Sequence, residues 1–548
     1  MDAYSKFFIC SDVIRAAKNF FLAVAIICLA AGAPQFSVAQ KAGDAASMPN
    51  FAPAMIEHMQ KMRRYKDPDR GVENPPAVID RFRTDANPKG AAATFQPSGA
   101  TFTANNAFFK DMGTNGRTCF TCHRPENGWS VSAKDVAERF EKSAGTDPIF
   151  RLVDGAACPS DDVSTLRAKH RAYKLLTEKG LIRIGLGIPV TAQFTIAVDD
   201  DPFGCNLGEG TGIQSGIVSV YRRPLPTTNV GFLSAIMWDG REPSFENQAV
   251  DATLGHAQAA AAPTPDQVAG IVAFQKGLFT AQIFDKKAKF LTGDNAKGGP
   301  IALSTQEFFI GINDPLGGNP KELPFTSEIF DLYRPWLSAG ERHDHDHSPP
   351  VANEDLLKTI NATEDWRIHD HERSMVSEHR RSVARGEELF NKTKVVITGV
   401  SGINDKLGVD HIDGSCGTCH DSPNIGNHSV KLPIDIGIPD AGDKAPPALD
   451  ITGLPVFTLT CSNVPDDHPL KGKVYKVTDP GRAMISGKCE DIGRFKGPIL
   501  RGLAARAPYF HNGSAATLRE VVDFYDQRFN IGFTHKEKTD LVNFLNTL

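Results

Sequence analysis

The sequence predicts a mainly α-helical protein with long loops, because helix-start signals are frequent and strand-like runs are few. Thr264 and Pro265 fit the cap and the first residue of a helix. Thr517 and Thr534 each begin a capping box that ends in a glutamate three residues later, and apolar side chains follow both boxes at helical spacing. The best candidate for a strand is the run "GIPVTAQFTIAV" at residues 187–198.

The N-terminus has the layout of a secretory signal. Arg15 and Lys18 precede an apolar run, residues 20–31, and a small-residue site that ends at Ala39 follows. The apolar run is shorter than the ~20 residues that a membrane-spanning helix needs. We therefore predict that the signal is removed near Ala39, that the mature protein is periplasmic, and that it has no membrane span.

Length and charge limit the possible architectures and partners. The chain has 548 residues, which is enough for two or three domains after the signal is removed. Its formal net charge is −5 at pH 7, whereas proteins that bind nucleic acid present a strongly basic surface. The composition therefore argues against nucleic acid as a partner.

The cysteines outside the signal fall into two groups of four. One group lies in two copies of a Cys-x-x-Cys-His motif. The other four are isolated, and unpaired thiols are unfavoured in an oxidising compartment. Pairing each of them with its neighbour in the sequence gives two local disulfides, although the sequence leaves cross-pairings open. The predicted bonds are Cys158–Cys205 and Cys461–Cys489.

The repeated motif is "CFTCH" at residues 119–123 and "CGTCH" at residues 416–420. In this motif each thiol adds to one vinyl group of a haem, and the histidine supplies an axial nitrogen to the iron. A zinc site would need a fourth Cys or His at a typical offset, which neither copy has. A thioredoxin-type motif would be expected near a βαβ unit, and a plain disulfide does not explain the histidine. We predict two covalent c-type haems, held by Cys119, Cys122 and His123 and by Cys416, Cys419 and His420.

Two further segments carry a resemblance to a known family. They are "WDGRE", which begins at Trp238, and the long stretch at residues 495–525 that contains "APYFHNG". Together with the two haem motifs, they resemble the bacterial di-haem cytochrome c peroxidase / MauG superfamily. The resemblance runs from about residue 105 to the end of the chain.

This resemblance implies two cytochrome c-like haem domains that face each other, so the predicted fold class is mainly α with long loops and inserted segments. The N-terminal haem would be the reactive one and the C-terminal haem the electron-transfer one. The predicted organisation is a signal peptide at 1–39, an N-terminal domain at 40–385 with insertions near 130–215 and 275–380, and a C-terminal domain at 386–548.

The second axial ligand of the C-terminal haem distinguishes branches of the superfamily. The resemblance implies a Met on the helix after the "PYFH" motif in the peroxidases and a Tyr in MauG. Here that position is Tyr525, and the helical periodicity places it on the same face as Val521 and Val522. Met484 is the rival ligand, and a core tyrosine without a metal role is the alternative for Tyr525. We favour Tyr525, whose phenolate would stabilise ferric iron.

The N-terminal haem is predicted to have an open coordination position. Relatives carry a removable histidine ligand upstream of the "WDGR" motif, but the corresponding stretch here, residues 212–230, contains no histidine.

The resemblance also implies that Trp238 lies between the two haems. The alternative for Trp238 is an ordinary buried tryptophan.

The reactive haem would also need groups that move protons and donate hydrogen bonds. The resemblance implies a Gln ten residues after the Trp, which is Gln248, and a Glu ten residues beyond that, where this chain has Gln258. A neutral amide cannot act as a base, but His256 stands two residues earlier and can. We predict that His256 carries the proton and that Gln248 and Gln258 supply hydrogen bonds. The alternative is that His256 is a satisfied core or surface residue.

Two possible metal sites remain. The resemblance implies a calcium ion between the domains, with the carbonyl of Pro508 among its ligands. The run "HDHDH" at residues 343–347 could bind a metal, but beside two prolines we interpret it as a solvated loop.

The predicted function is that of a periplasmic di-haem oxidoreductase that reduces hydrogen peroxide with electrons from a small cytochrome c or a cupredoxin. The first alternative is a MauG-like or rubber-oxygenase-like enzyme that oxidises an organic or protein substrate, with oxygen, at the N-terminal haem. The second is a non-catalytic di-haem electron carrier, which would need no open iron.

Overall fold

The helices that the capping signals predict are present in the computed structural model. Thr264 caps a helix that begins at Pro265, and its side chain accepts a hydrogen bond from the amide of Gln267. Thr517 and Thr534 cap the last two helices of the chain in the same way. These three predictions are confirmed.

The structure describes residues 74–338 and 372–548. The predicted signal peptide and the histidine run at residues 343–347 lie outside the described residues. No helix within the described part of the chain is long and apolar enough to cross a membrane. The predicted boundary between residues 385 and 386 stays a prediction.

The helices differ widely in length. They are α1 (Ala133–Ser143), α2 (Leu166–Ala172), α3 (Lys174–Lys179), α4 (Phe245–Gly255), α5 (Pro265–Lys276), α6 (Gly299–Ser304), α7 (Arg373–Lys392), α8 (Asn404–Leu407), α9 (Ala483–Ser486), α10 (Leu518–Phe529) and α11 (His535–Asn546).

The strands are short. They are β1 (Val78–Ile79), β2 (Phe82–Asn87), β3 (Gly90–Phe95), β4 (Thr101–Phe102), β5 (Ile182–Gly187), β6 (Thr195–Asp200), β7 (Ile217–Arg222), β8 (Phe279–Asp285), β9 (Lys289–Phe290), β10 (Val395–Thr398), β11 (His411–Gly414), β12 (Val456–Thr460) and β13 (Val474–Val477).

The prediction of a mainly α protein is wrong. Of the residues that the structure describes, 32% are helical and 16% are in strands. The strands pair into several small sheets, which are β1–β4, β2–β3–β8–β9, β5–β7, β6–β12–β13 and β10–β11. Most strands are too short to produce a clear alternation of apolar and polar residues, and partners such as β3 and β8 are far apart in sequence. Even the predicted strand at residues 187–198 forms β6 only over its last four residues.

The predicted insertion near residues 130–215 packs against the C-terminal half of the chain. Its strand β6 pairs with β12, so that Val198 lies opposite Phe457. An apolar cluster beneath this sheet combines residues from both regions. Both predicted disulfides, Cys158–Cys205 and Cys461–Cys489, are present, and the second lies within that cluster.

The haem-motif region of the C-terminal half rests on the crossing of α7 and α11. Gly386 makes this close approach possible, because a Cβ atom there would lie 2.1 Å from the carbonyl oxygen of Asp540. Phe390, one turn further along α7, packs edge-on against Phe330 and lies 6.1 Å from the His420 ring, between ring centroids. This arrangement holds the second haem motif against the core.

Candidate active site

The two Cys-x-x-Cys-His motifs have the same local construction. Each begins with one short turn of 3-10 helix, Cys119–Thr121 and Cys416–Thr418. In each, the threonine hydroxyl at the third position accepts a hydrogen bond from the amide of the residue before the turn, at 3.0 Å and 3.1 Å. The four motif cysteines are free thiols. The repeated turn therefore presents two thiols and one imidazole twice.

Each motif histidine is oriented by a main-chain carbonyl. Nδ1 of His123 lies 3.0 Å from the carbonyl oxygen of Trp129, and Nδ1 of His420 lies 2.6 Å from that of Gly426. Such a bond fixes the ring and leaves Nε2 as the nitrogen for a metal. Burial lowers the pKa of both imidazoles, to about 4 for His420. Both rings are therefore neutral, which is the form that binds iron.

A large cavity lies beside each motif. The N-terminal cavity, lined by Cys119, Cys122 and His123, measures about 1360 Å³ including space that opens to solvent. The C-terminal cavity, lined by Cys416, Cys419 and His420, measures about 1480 Å³ on the same basis. Their apolar walls and motif residues fit covalently held haem.

Trp238 borders both of these cavities. It also borders a third space between them, which we call the middle cavity and which is lined by Pro508, Lys496 and Arg501 among others. Its indole nitrogen donates a hydrogen bond to the carbonyl of Arg223 at 2.8 Å. Trp238 therefore lines the cavities of both motifs, and its role between two haems stays a prediction.

Two further aromatic rings continue from Trp238 into the C-terminal cavity. His511 lies edge-on to Trp238, with 6.2 Å between ring centroids, and stacks on Phe495 at 3.8 Å. Burial lowers the pKa of His511 to about 3, so that this ring is neutral. Sequence reasoning did not single out His511, although it lies inside the "PYFH" motif.

The loop that carries Trp238 is held by a buried ion-pair network. Arg222, at the end of β7, donates two hydrogen bonds to Asp479 at 2.7 Å and 2.9 Å, and one to Asp239 at 2.5 Å. Arg222 and Asp479 are each only about 2% exposed, and Asp239 is fully buried. The three residues connect an N-terminal strand, the "WDGRE" loop and the C-terminal half of the chain.

His256 lies in the N-terminal cavity and is paired with a carboxylate. The cavity is lined by both His256 and Gln248. Nδ1 of His256 lies 2.5 Å from Asp154, whose other oxygen accepts from Arg117 at 2.5 Å. Burial alone would raise the pKa of Asp154, but Arg117 and the bond to His256 outweigh it and hold the pKa below its usual value. Asp154 is therefore ionised and accepts a hydrogen bond from the protonated Nδ1 of His256. Nε2 of His256 is then available to take up a proton.

The structure places Gln258 apart from this group. Its Oε1 accepts a hydrogen bond from Asn115 at 3.3 Å, and it is not among the residues that line the N-terminal cavity. Asp154, in contrast, was missed. It comes from the predicted insertion and lies 102 residues from His256 in sequence, so no local pattern could have joined them.

Tyr525 and Met484 have different surroundings. Tyr525 lines the C-terminal cavity, and its ring centroid lies 6.5 Å from that of His420 at an interplanar angle of 70°. Met484 is 3% exposed and packs in the apolar cluster around the Cys461–Cys489 disulfide. Of the two candidate ligands, Tyr525 is therefore the one that borders this cavity.

The residues around Pro508 do not fit calcium. Ca²⁺ takes six to eight oxygen ligands and relies on carboxylates for charge. The middle cavity beside Pro508 is lined by Arg223, Lys496, Arg501 and Arg506, with no Asp or Glu among its described lining residues. Nor does the described part of the chain contain any cluster of three or more His, Cys, Asp or Glu side chains suited to a metal ion. The positive charge of these four side chains would repel a calcium ion.

Comparisons with known proteins find similarity to cytochrome c peroxidases and to a cytochrome c-like family over parts of this chain. A family model described as RoxA-like, cytochrome c-like matches residues 494–531. "Cytochrome-c peroxidase IdrP1" of Pseudomonas sp. (strain SCT) is 27% identical over 214 residues, which are 35% of this chain and 53% of that protein. "Cytochrome c551 peroxidase" of Nitrosomonas europaea is 38% identical over 79 residues, 14% of this chain and 24% of that protein.

These matches confirm the predicted resemblance to the bacterial di-haem cytochrome c peroxidase / MauG superfamily. The chain spans about half or less of the length of these curated relatives. A solved structure described as a MauG-like protein associated with microbial copper homeostasis is 15% identical, with a TM-score of 0.33 over 81% of this chain and 86% of that one.

Proposed function

We propose that the chain is an exported di-haem c oxidoreductase that reduces hydrogen peroxide in the N-terminal cavity. Electrons would enter from a small cytochrome c or a cupredoxin through the haem held in the C-terminal cavity. The observation that carries this proposal is the pairing of His256 with ionised Asp154 in the same cavity as His123. A haem bound there supplies the electrons that reduce the oxygen–oxygen bond.

His256 has the role of proton carrier in this proposal. Because Asp154 accepts the Nδ1 proton, Nε2 can take a proton from one oxygen of peroxide and return it to the other. Two electrons and two further protons then complete the conversion of one peroxide into two waters. Gln248, which lines the same cavity, can donate a hydrogen bond to the substrate as charge develops.

Trp238 is proposed to lie on the electron path. It borders the N-terminal and C-terminal cavities, and its indole nitrogen donates a hydrogen bond to the carbonyl of Arg223. The same position would serve a MauG-like oxidation of an organic or protein substrate. One observation favours that second candidate: Tyr525, rather than Met484, borders the C-terminal cavity. A pure electron carrier is less well supported, because it has no use for the His256–Asp154 pair.

Haem content tests the foundation of the proposal. We expect two covalent haems per wild-type chain, and one in either Cys119→Ala or Cys416→Ala, because each thiol forms one of the two bonds that hold its haem. The pyridine haemochrome assay, combined with protein quantification, measures this ratio. Finding one haem per wild-type chain would exclude the two-haem architecture.

Replacement of Tyr525 tests the ligand of the C-terminal haem. If its phenolate binds iron, Tyr525→Phe should convert one low-spin ferric signal into a high-spin signal and raise the reduction potential of that haem. Met484→Leu is the matched control, because it preserves volume in a cluster outside the cavity. Electron paramagnetic resonance distinguishes the outcomes. Loss of the low-spin signal in Met484→Leu, with its retention in Tyr525→Phe, would identify Met484 as the ligand.

A further inference from the structure

The middle cavity has a strong positive charge that the protein itself does not neutralise. Arg223, Lys496 and Arg501 are buried there, and Arg506 is partly buried. Burial lowers the pKa of Lys496 to about 7 and that of Arg223 to about 9. A buried cation without a counter-charge costs several kcal/mol. Three arginines and a lysine that meet around one space would therefore be stabilised by a source of negative charge.

The hydrogen-bond acceptors of Arg223 and Arg506 are neutral carbonyl groups, which supply no negative charge. The guanidinium of Arg223 donates to the carbonyls of Lys179, Val131 and Arg506. The guanidinium of Arg506 likewise donates only to main-chain carbonyls. Neither forms an ion pair with a carboxylate in the described part of the chain.

Arg501 is the least satisfied of the four. It is 2% exposed, and its Nε and Nη1 atoms have no hydrogen-bond partner. Glu387 acts on it electrostatically without forming an ion pair, and burial dominates, lowering the pKa of Arg501 to about 10. Two buried donors of a single guanidinium therefore lack an acceptor in the protein.

The location of the middle cavity suggests the missing anions. It shares Arg223, Leu233 and Trp238 with the N-terminal cavity, and it shares Trp238, Lys496 and Tyr509 with the C-terminal cavity. None of the four motif cysteines or the two motif histidines lines it. Haems held at the two motifs would carry their propionates on the edges away from the cysteines. The middle cavity, which shares lining residues with both motif cavities but none of the motif cysteines, would be placed to receive them.

We propose that the middle cavity binds the haem propionates, and that its arginines and lysine take the place of an interdomain calcium ion. Two haems carry four propionate carboxylates, which would offset the positive charge of these side chains. Nε and Nη1 of Arg501, which lie on different edges of the guanidinium, would each donate to a carboxylate oxygen. This inference rests on the proposed covalent binding of two haems.

Lys496→Met tests this inference, because methionine keeps the length and removes the charge. In the purified holoprotein, we expect the variant to shift a propionate bending band in the resonance Raman spectrum. It should also lower the midpoint potential of one haem, since a nearby cation stabilises the reduced state. Lys297→Met is the matched control: Lys297 is 57% exposed, pairs with Asp331 and lies outside all three cavities. It should change neither quantity.

If Lys496→Met fails to fold, Arg501→Gln provides a second variant. Elemental analysis of the wild-type protein measures its calcium content and needs no variant. We expect no stoichiometric calcium, and no change of the haem spectra with a calcium chelator. One calcium per chain whose removal alters the spectra would overturn the inference. The inference would also be overturned if the Raman bands and the haem potentials were unchanged in both Lys496→Met and Arg501→Gln.

A free anion is distinguished from the propionates by adding inorganic phosphate to protein prepared without it. Potentials that depend on phosphate would mean that the cavity binds a free anion, which contradicts the inference. A haemochrome assay on the same samples separates the two proposals. Fewer than two haems per wild-type chain refutes the proposed function, whereas two haems together with bound calcium refute only the propionate site.

Discussion

His256→Ala is expected to slow the reaction with hydrogen peroxide by ~100-fold or more, which is the usual contribution of a positioned general base. The imidazole is the group that the N-terminal cavity offers for proton transfer, and Asp154 fixes its orientation. Because the haem motifs are untouched, both haem spectra should stay nearly intact. Stopped-flow mixing of the reduced protein with peroxide measures the rate.

Gln258→Ala is the control for this prediction. Gln258 lies two residues from His256, but its side chain bonds Asn115 and does not line the cavity. Its loss should therefore leave the peroxide rate close to that of the wild type. If His256→Ala reacts at the wild-type rate, the assignment of the base is wrong. If His256→Ala instead converts a low-spin N-terminal haem to high-spin, His256 is an iron ligand and not a base.

Asp479→Ala is expected to destabilise the protein by up to about 3–5 kcal/mol, the usual cost of breaking a buried ion pair by removal of one partner. Arg222 is 2% exposed and would lose two hydrogen bonds, so that only Asp239 would remain to neutralise it. Because the network holds the Trp238 loop against both halves of the chain, the loss should affect the whole fold. Urea unfolding followed by circular dichroism measures it.

The exposed pair between Lys297 and Asp331 gives the matched control. Both side chains are about half exposed, and such pairs contribute about 0–1 kcal/mol. Asp331→Ala should therefore have a small effect. A similarly small effect of Asp479→Ala would mean that the buried network does not hold the two halves together.

The parts of the structure that were predictable from sequence depend on local signals. The capping boxes at Thr517 and Thr534 satisfy free amides at a helix start within four residues, so they mark the helices wherever they occur. The haem motifs are equally local, and Thr121 and Thr418 build the same turn in both. The spacing from Trp238 that the resemblance implies pointed to Gln248, which lines the same cavity as His123, and its role there stays a prediction.

The parts that were missed depend on contacts between distant segments. The small sheets arise from pairings such as β6 with β12, whose partners are more than 250 residues apart, and short strands carry little periodicity of their own. The Asp154–His256 pair likewise joins an insertion to the end of α4. A buried aspartate in a loop has no sequence signature that distinguishes it from a solvated one.

The cations of the middle cavity are a third case. Lys496, Arg501 and Arg506 lie within a single segment of eleven residues, but their common burial around one space appears only in the folded chain. As isolated residues, they are indistinguishable from ordinary surface charges. Calcium is unsuited to the middle cavity because these positive side chains meet there in the folded chain, which their identity alone does not show.

The most direct test of peroxide reduction is anaerobic mixing of the fully reduced protein with one equivalent of hydrogen peroxide. Two reduced haems hold two electrons, and one peroxide accepts two electrons as it becomes water. We therefore predict that one equivalent rapidly oxidises both haems, and that His256→Ala slows this oxidation without changing its stoichiometry. If peroxide leaves the reduced spectrum unchanged while oxygen oxidises both haems, reduction of peroxide is not the function of this protein.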